Sequence, residues 1–247
     1  MPAALPNRIS HGLSDSGGDP RQRLIVALDV STAAAAQRIV AAVGDSVLTY
    51  KVGMQLYTAE GPRVARDLIA AGRRVFLDLK YHDIPNTVAG AVSEAAKLGV
   101  SMLTVHAAGS GKMLRAAVEA AAARPGLMVL AVTVLTSLDG YDLDKIGIRG
   151  SVEDSVVRLA TIALANGCHG VVTSAREAST LRAELGNRFA IVTPGVRPAG
   201  TNAGDQVRIV TPAEAIASGA SHIVVGRPIT DAADPAAEAR AILGQIS

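Results

Sequence analysis

Phe76-Leu-Asp-Leu-Lys-Tyr-His-Asp-Ile-Pro-Asn-Thr87 reads as an extended strand running into a helix, with charges where a buried strand is expected to be apolar. Side chains alternate faces along a strand, so Asp78 and Lys80 point one way and Leu77 and Leu79 the other. The face carrying Val75, Leu77 and Leu79 is expected to lie under helices, which leaves the two charges facing an interior. A charge taken out of water costs roughly several kcal/mol unless it is paired. A structural ion pair meets that condition, but Asp83, three residues beyond Lys80, favours a functional cluster. Downstream, Val88, Val92, Ala95 and Leu98 recur at helical spacing and Gly99 supplies a stop. Pro85 suits the first turn of that helix, and Asn86 or Thr87 suits its cap. Capping does not account for Asp78, Lys80 and Asp83.

The same strand-then-helix unit repeats along the chain. Short runs rich in β-branched residues alternate with longer Ala-rich segments of helical period. Eight strands are predicted, at 24–28, 48–52, 74–79, 102–106, 128–134, 170–173, 190–193 and 222–225. Eight parallel strands, each followed by a helix, close into an α/β fold of the (β/α)8 TIM-barrel type, for which about 250 residues is typical; an open doubly wound sheet is the alternative. The barrel is favoured because Asp29, Lys51, Asp78 with Lys80, His106, Thr133 with Thr136, Pro194 with Arg197, and Gly226 with Arg227 all fall at strand C-terminal ends, the active rim of such barrels. A single domain over residues 24–247 is expected. Residues 1–23, rich in Pro, Ser, Gly and Asp, read as a disordered tail without the apolar segment of a signal peptide.

Composition narrows the function classes. Of 247 residues, 49% are hydrophobic, yet there are only two Phe, four Tyr and no Trp, so the core is built from small and branched side chains. The formal net charge of +2 comes from interspersed acids and bases, with no basic run interleaved with aromatics, which gives nucleic-acid binding nothing to rest on. The single cysteine, Cys168, excludes an intrachain disulfide and a cysteine-based metal cluster and fits a reducing cytoplasm. The longest notable apolar stretch, Leu127 to Leu135, is about half of a membrane span, so no membrane insertion is expected.

Two ends of a site emerge. Gly226 and Arg227 end the last strand, and Pro194, Gly195 and Arg197 end the one before it, an arrangement suited to a phosphate through backbone N–H groups and guanidinium. The loop carrying Gly200, Gly204, Asp205 and Gln206 is placed to fold over a ligand. At the other end, Lys51 stands beside Asp78 and Lys80 if strand order follows sequence, giving an alternating Lys-Asp-Lys row that Asp83 could complete. Asp29 could accept from sugar hydroxyls, although taken alone it reads better as a helix cap beside Ser31 and Thr32. The histidines lack metal-triad spacing and lysines interleave the carboxylates, which predicts chemistry without metal. The first strand-to-helix turn, Asp29-Val-Ser-Thr, lacks a dinucleotide fingerprint, so no nicotinamide cofactor is expected.

From about Leu24 to the C-terminus the chain closely resembles the orotidine 5'-phosphate decarboxylase family. The residues that carry the likeness are Ala27-Leu-Asp29, Lys51-Val-Gly53, Phe76 to Thr87, Val105-His-Ala107, Val132 to Ser137, Val192-Thr-Pro-Gly195 with Arg197, Gly204-Asp-Gln206 and Val225-Gly-Arg227. The resemblance implies decarboxylation of orotidine 5'-phosphate to UMP without metal or cofactor, in a cytoplasmic enzyme of de novo pyrimidine synthesis. It implies Lys80 as proton donor, Asp78 beside the scissile carboxylate, and Lys51 and Asp83 as the rest of a charged network. It further implies Asp29 and Lys51 at the ribose, Thr136 and Ser137 near the pyrimidine, and Pro194, Arg197, Gln206, Gly226 and Arg227 around the remaining substrate, chiefly its phosphate. Ile84 is counted among the substrate-binding residues, and Asp83 and Thr87 are expected to serve the neighbouring site of a homodimer. Related barrels with Asp-x-Lys on the third strand act on sugar phosphates with Mg2+, and a silent nucleotide sensor is a further alternative; the His82 to Thr87 continuation and the intact charged row weigh against them.

Overall fold

The computed structural model describes residues 19–198 and 210–247. Eight strands form a closed barrel in sequence order: β1 (Leu24–Ala27), β2 (Thr49–Gly53), β3 (Arg74–Tyr81), β4 (Met102–His106), β5 (Met128–Val132), β6 (Gly170–Val172), β7 (Ala190–Thr193) and β8 (His222–Val225). All neighbouring pairs are parallel, and β8 closes on β1. Helices follow the strands: α1 (Ala33–Val43), α2 (Met54–Glu60), α3 (Arg63–Ala70), α4 (Pro85–Leu98), α5 (Ser110–Ala121), α6 (Gly140–Lys145), α7 (Val152–Ala165), α8 (Ala175–Leu185), α9 (Pro212–Ala217), α10 (Arg227–Thr230) and α11 (Pro235–Gln245). This is the TIM barrel that the alternation predicts.

Strands buried on both faces account for two separate apolar clusters. One contains residues from strands alone, among them Ile25, Phe76, Met102, Leu130, Val192 and Val224, and fills the barrel interior. The other joins the opposite strand faces, such as Val26, Leu77 and Val105, to helical residues such as Val88, Val92 and Leu114. Each fully buried aliphatic side chain contributes about 1.5–3 kcal/mol of transfer free energy. Close approach governs one position in particular: a Cβ at Gly170 would lie 2.2 Å from the Ala190 carbonyl oxygen, so β6 can meet β7 there only with glycine.

The register sets up the site. Lys51 pairs with Ala27 on one side and Phe76 on the other, and Gly53 pairs with Asp78. Lys51 and Asp78 therefore share the inward face with Ala27 and Phe76, nearer the strand C-termini than the apolar floor.

Two expectations need correction. The stretch assigned to the tail is ordered from Asp19: residues Pro20–Gln22 form a 3-10 turn capped by the Asp19 carboxylate, and Arg23 donates to the carbonyls of Ala220, Ser221 and Ile246. Those three bonds close the barrel floor, which is why the fold starts ahead of Leu24; residues 1–18 lie outside the described residues. Helix α4 is not capped by Asn86 or Thr87. Pro85 is itself the first helical residue and Ile84 the cap, with no side-chain bond to the helix N-H groups. Proline's fixed φ and missing N–H suit that position, so both polar residues fall inside the first turn.

The barrel floor carries a pH dependence. His222 opens β8 half-buried, and its Nδ1 is enclosed without a hydrogen-bond partner. Burial, aided by the charges of Arg74 and Arg23, pushes its pKa down to about 4 from 6.5. Between those values the unfolded chain holds a proton that the folded chain lacks, so stability falls with falling pH. The contribution is fully present above about 6.5 and lost by about 4. Between pH 7 and 5, the urea unfolding free energy of the wild type is expected to drop more than that of His222→Gln, by on the order of 1 kcal/mol. His106 and His169, also lowered by burial, act in the same sense in both proteins, and equal drops would exclude the His222 contribution.

Candidate active site

Four charged side chains alternate across the C-terminal mouth of the barrel. Asp29 Oδ1 lies 2.8 Å from Lys51 Nζ, Lys51 Nζ lies 3.8 Å from Asp78 Oδ2, and Lys80 Nζ lies 2.9 Å from Asp78 Oδ1. Lys51 and Asp78 are only 12% and 13% exposed, and Lys80 24%. Charges this sheltered persist because each ammonium lies between or beside carboxylates and the row sums to zero. Gly53 makes room for it: a Cβ there would stand 3.0 Å from Lys51 Nζ and 3.2 Å from Asp29 Oδ1. Thr32, not Asp29, caps α1, accepting from the Ala35 N–H, so the Asp29 carboxylate is left to Lys51.

The strand that carries the pair is irregular. Leu77 pairs with Leu103, but the next pairing is Tyr81 with Val105, so Asp78, Leu79 and Lys80 bulge opposite Thr104 alone. Bulges re-aim side chains beside functional sites. Lys80 has φ 52°, a left-handed conformation shared among the described non-glycine residues only by Ser110, and such a residue costs about 1–2 kcal/mol. The Lys80 N–H donates to Thr104 Oγ1 at 2.9 Å, and Thr104 Oγ1 donates to Asp78 Oδ1 at 3.0 Å. His106, at the end of β4, rests with its ring centroid 5.4 Å from that of His82; burial first, then the His82 and Lys80 charges, lower its pKa against the pull of Asp78.

Two connected hollows flank the row. A cavity of about 870 Å³ runs from Asp29, Lys51 and Asp78 to Arg197, Arg227 and Arg38. Burial and the adjoining Arg227 charge lower the pKa of Arg197, the response expected of two cations facing one space. On the other side a slot of about 170 Å³ lies between Lys80 with Phe76 and a wall that includes Val132, Leu135, Thr136 and Thr173. Lys51, Asp78, Pro194 and Val224 border both. The lining is suited by charge to an anion at one end and by its apolar side chains to a largely apolar group at the other, with the charged row between.

The sequence profile of the Orotidine 5'-phosphate decarboxylase / HUMPS family matches residues 22–242. The chain belongs to this family. It is 54% identical over 223 residues to the orotidine 5'-phosphate decarboxylase of Anaeromyxobacter dehalogenans, covering 90% of this chain and 97% of that one. It is 53% identical over 229 residues to the enzyme of that name from Afipia carboxidovorans, covering 93% and 96%. The crystal structure of orotidine 5'-phosphate decarboxylase from Lactobacillus acidophilus superposes with a TM-score of 0.81 at 38% identity, covering 91% of this chain and 98% of that one.

Not every residue expected from the family resemblance joins the row. Asp83 does not complete it within its own chain: it sits exposed between β3 and α4 and accepts from the Ile84 N–H at 2.6 Å, and among the described residues it forms no ion pair. The strand ends at Tyr81, so the alternation that aimed Asp78 and Lys80 inward no longer governs it. Ile84, 66% exposed, and Thr87, also exposed, stand on the same outer surface at the start of α4. Thr136 borders the slot while Ser137, one residue on, is exposed. Pro194, Gly226, Arg197 and Arg227 border the larger cavity; Gln206, with Gly200, Gly204 and Asp205, lies outside the described residues. The sequence reading passed over Arg38, which looks like any basic residue on a helix, and Thr104. The available signal for Thr104 was a polar side chain at an inward barrel position between Met102 and His106.

Proposed function

We propose that this protein decarboxylates orotidine 5'-phosphate to UMP in de novo pyrimidine synthesis, and does so with its own side chains alone. The observation that carries the reading is the Asp29-Lys51-Asp78-Lys80 row, exposed at Asp29 and sheltered from Lys51 onward, set between a cationic cavity that suits phosphate and a slot that suits a pyrimidine. The names of the relatives point to the same substrate.

Breaking the bond between C6 and the carboxylate releases CO2 and leaves the electron pair on C6 in the ring plane, where the π system cannot spread it. Lys80 Nζ, fixed by Asp78 in a site largely cut off from water, stabilises that pair electrostatically and then delivers a proton to C6. The neutral amine left behind takes a proton from solvent. Asp78, on the inward face beside Lys80, lies against the departing carboxylate. Asp29 and Lys51 hold ribose hydroxyls, Thr136 and Ser137 lie at the pyrimidine, and Arg227 and Arg197 hold the phosphate together with Gln206 and Gly226. Binding energy from that remote phosphate assembles the reacting end. A homodimer with shared sites, in which Asp83 and Thr87 reach the neighbouring site, belongs to the same reading; the exposure of both residues supports it. A cytoplasmic location belongs to the same reading and fits a chain whose sole cysteine forms no disulfide.

The direct test is the loss of orotidine 5'-phosphate absorbance on adding protein pretreated with EDTA. Conversion to UMP is expected. Conversion only after Mg2+ is restored would overturn the metal-free chemistry, and none even then would overturn the assignment in favour of the sugar-phosphate or sensor reading. Arg227→Ala is expected to lower kcat/KM about ten- to a hundredfold, chiefly through KM, because a charge-assisted bond to phosphate is lost. An unchanged KM would remove Arg227 from the phosphate site.

A further inference from the structure

The hydroxyl of Thr104 touches both halves of the Asp78–Lys80 pair. It has one proton to give, and the carboxylate Oδ1 of Asp78 at 3.0 Å is a pure acceptor while the Lys80 N–H at 2.9 Å is a pure donor. Its polarity is therefore fixed: it gives its proton to Asp78 and accepts that of Lys80. The same Oδ1 accepts the Lys80 ammonium at 2.9 Å. Lys80 is thus tied to one carboxylate oxygen twice, through Nζ directly and through its backbone N–H by way of Thr104. Thr104 is fully buried, so water is not at hand to replace the hydroxyl. Opposite it the β3 ladder is interrupted by the three-residue bulge, and the Lys80 N–H has left the regular pairing for this contact.

We propose that Thr104 is a positioning residue that locks Lys80 in its left-handed conformation and orients Asp78, so that the ammonium stands at one point in the site. Without the hydroxyl, the part-buried Lys80 N–H loses its acceptor, and the bulge relaxes toward ordinary extended backbone. Relaxation there swings the lysine side chain, because a change of φ at Lys80 redirects its Cβ. The inference rests on the proposed function, in which Lys80 and Asp78 are the working pair.

Thr104→Val keeps shape and β-branching and removes only the hydrogen bonds; Thr104→Ser keeps the hydroxyl. With orotidine 5'-phosphate as substrate, Thr104→Val is expected to lower kcat at least thirtyfold with KM within threefold of wild type, and Thr104→Ser to stay within threefold in both. Thr104→Ala replaces the valine variant if that one does not fold. A kcat within threefold of wild type for the valine variant, or a serine variant as impaired as the valine one, would overturn the proposal. Hydrogen exchange gives a readout independent of any substrate: the Lys80 amide is expected to exchange at least tenfold faster in Thr104→Val while Leu103 and Val105 keep their rates. An unchanged Lys80 rate, or an equal rise along β3 and β4, would overturn it as well. Should the wild type fail to convert orotidine 5'-phosphate, the proposed function falls, and the exchange measurement decides the positioning role alone.

Discussion

Lys80→Ala is expected to lower kcat by at least about a thousandfold while the barrel stays folded. Removing the side chain deletes both the proton donor, a contribution of about 10²–10⁴, and the cation nearest the developing charge, worth a further several kcal/mol in a site sheltered from water. The fold survives because Asp78 keeps Lys51 at 3.8 Å and Thr104 at 3.0 Å, and because the Lys80 side chain belongs to neither apolar cluster. The left-handed backbone supplies a control. Glycine adopts φ near 52° without the Cβ penalty, so Lys80→Gly is expected to be about 1 kcal/mol more stable than Lys80→Ala and equally inactive. Urea unfolding of the two variants beside steady-state assays checks both statements. Activity within tenfold of wild type in either would mean that Lys80 is not the acid. Glycine no more stable than alanine would mean that the bulge relaxes once the lysine is gone.

The strain at Lys80 also marks the limit of what the chain discloses when read as a string. Alternation along 74–79 placed Asp78 on the inward face, and the register of β2 against β3 puts Lys51 on that same face. Lys80 meets Asp78 as alternation suggested, but along a different path: a regular strand would place it two residues further up the same face, whereas it turns back through a bulge. A bulge is invisible in a hydrophobic pattern, because its cause is the side chain opposite, here Thr104, which reads as an ordinary strand former. Most of the strands were legible as short, largely buried runs rich in β-branched residues, with ends shifting by a residue or two, whereas β3 was legible by its charges. Strand β5 stops at Val132 although the apolar run continues, since Thr133 turns both its N–H and its hydroxyl to the Val172 carbonyl. The ordered floor at Pro20 to Arg23 was not legible, as its bonds go to carbonyls some two hundred residues away in the chain and composition records none of that. Charge type and position at strand ends thus disclosed which charged side chains meet at the barrel mouth better than how they are held there.

Mixing two inactive variants, Lys80→Ala and Asp83→Asn, is expected to restore activity, and the amount is set by the dimer's symmetry. In the proposed homodimer each site draws Lys80 from one subunit and Asp83 from its partner. A hybrid of the two variants then contains one site with both defects and one with neither. Random exchange makes about half of all dimers hybrid, so about a quarter of the sites are intact. If Asp83 instead served its own barrel, every site would carry one defect or the other and mixing would restore nothing. The structure gives this test its force. Within one chain Asp83 forms no ion pair among the described residues, and its carboxylate is occupied with the Ile84 N–H. Its exposed neighbours Ile84 and Thr87 give that surface an apolar and a hydroxyl contact to offer. Co-expression of the two variants, with exchange verified by native mass spectrometry, is the arrangement to use. Recovery near a quarter of wild-type kcat at unchanged KM would establish the shared site. No recovery in a verified hybrid would return Asp83 to its own subunit, where only a rearrangement of the turn before α4 could carry it to Lys80.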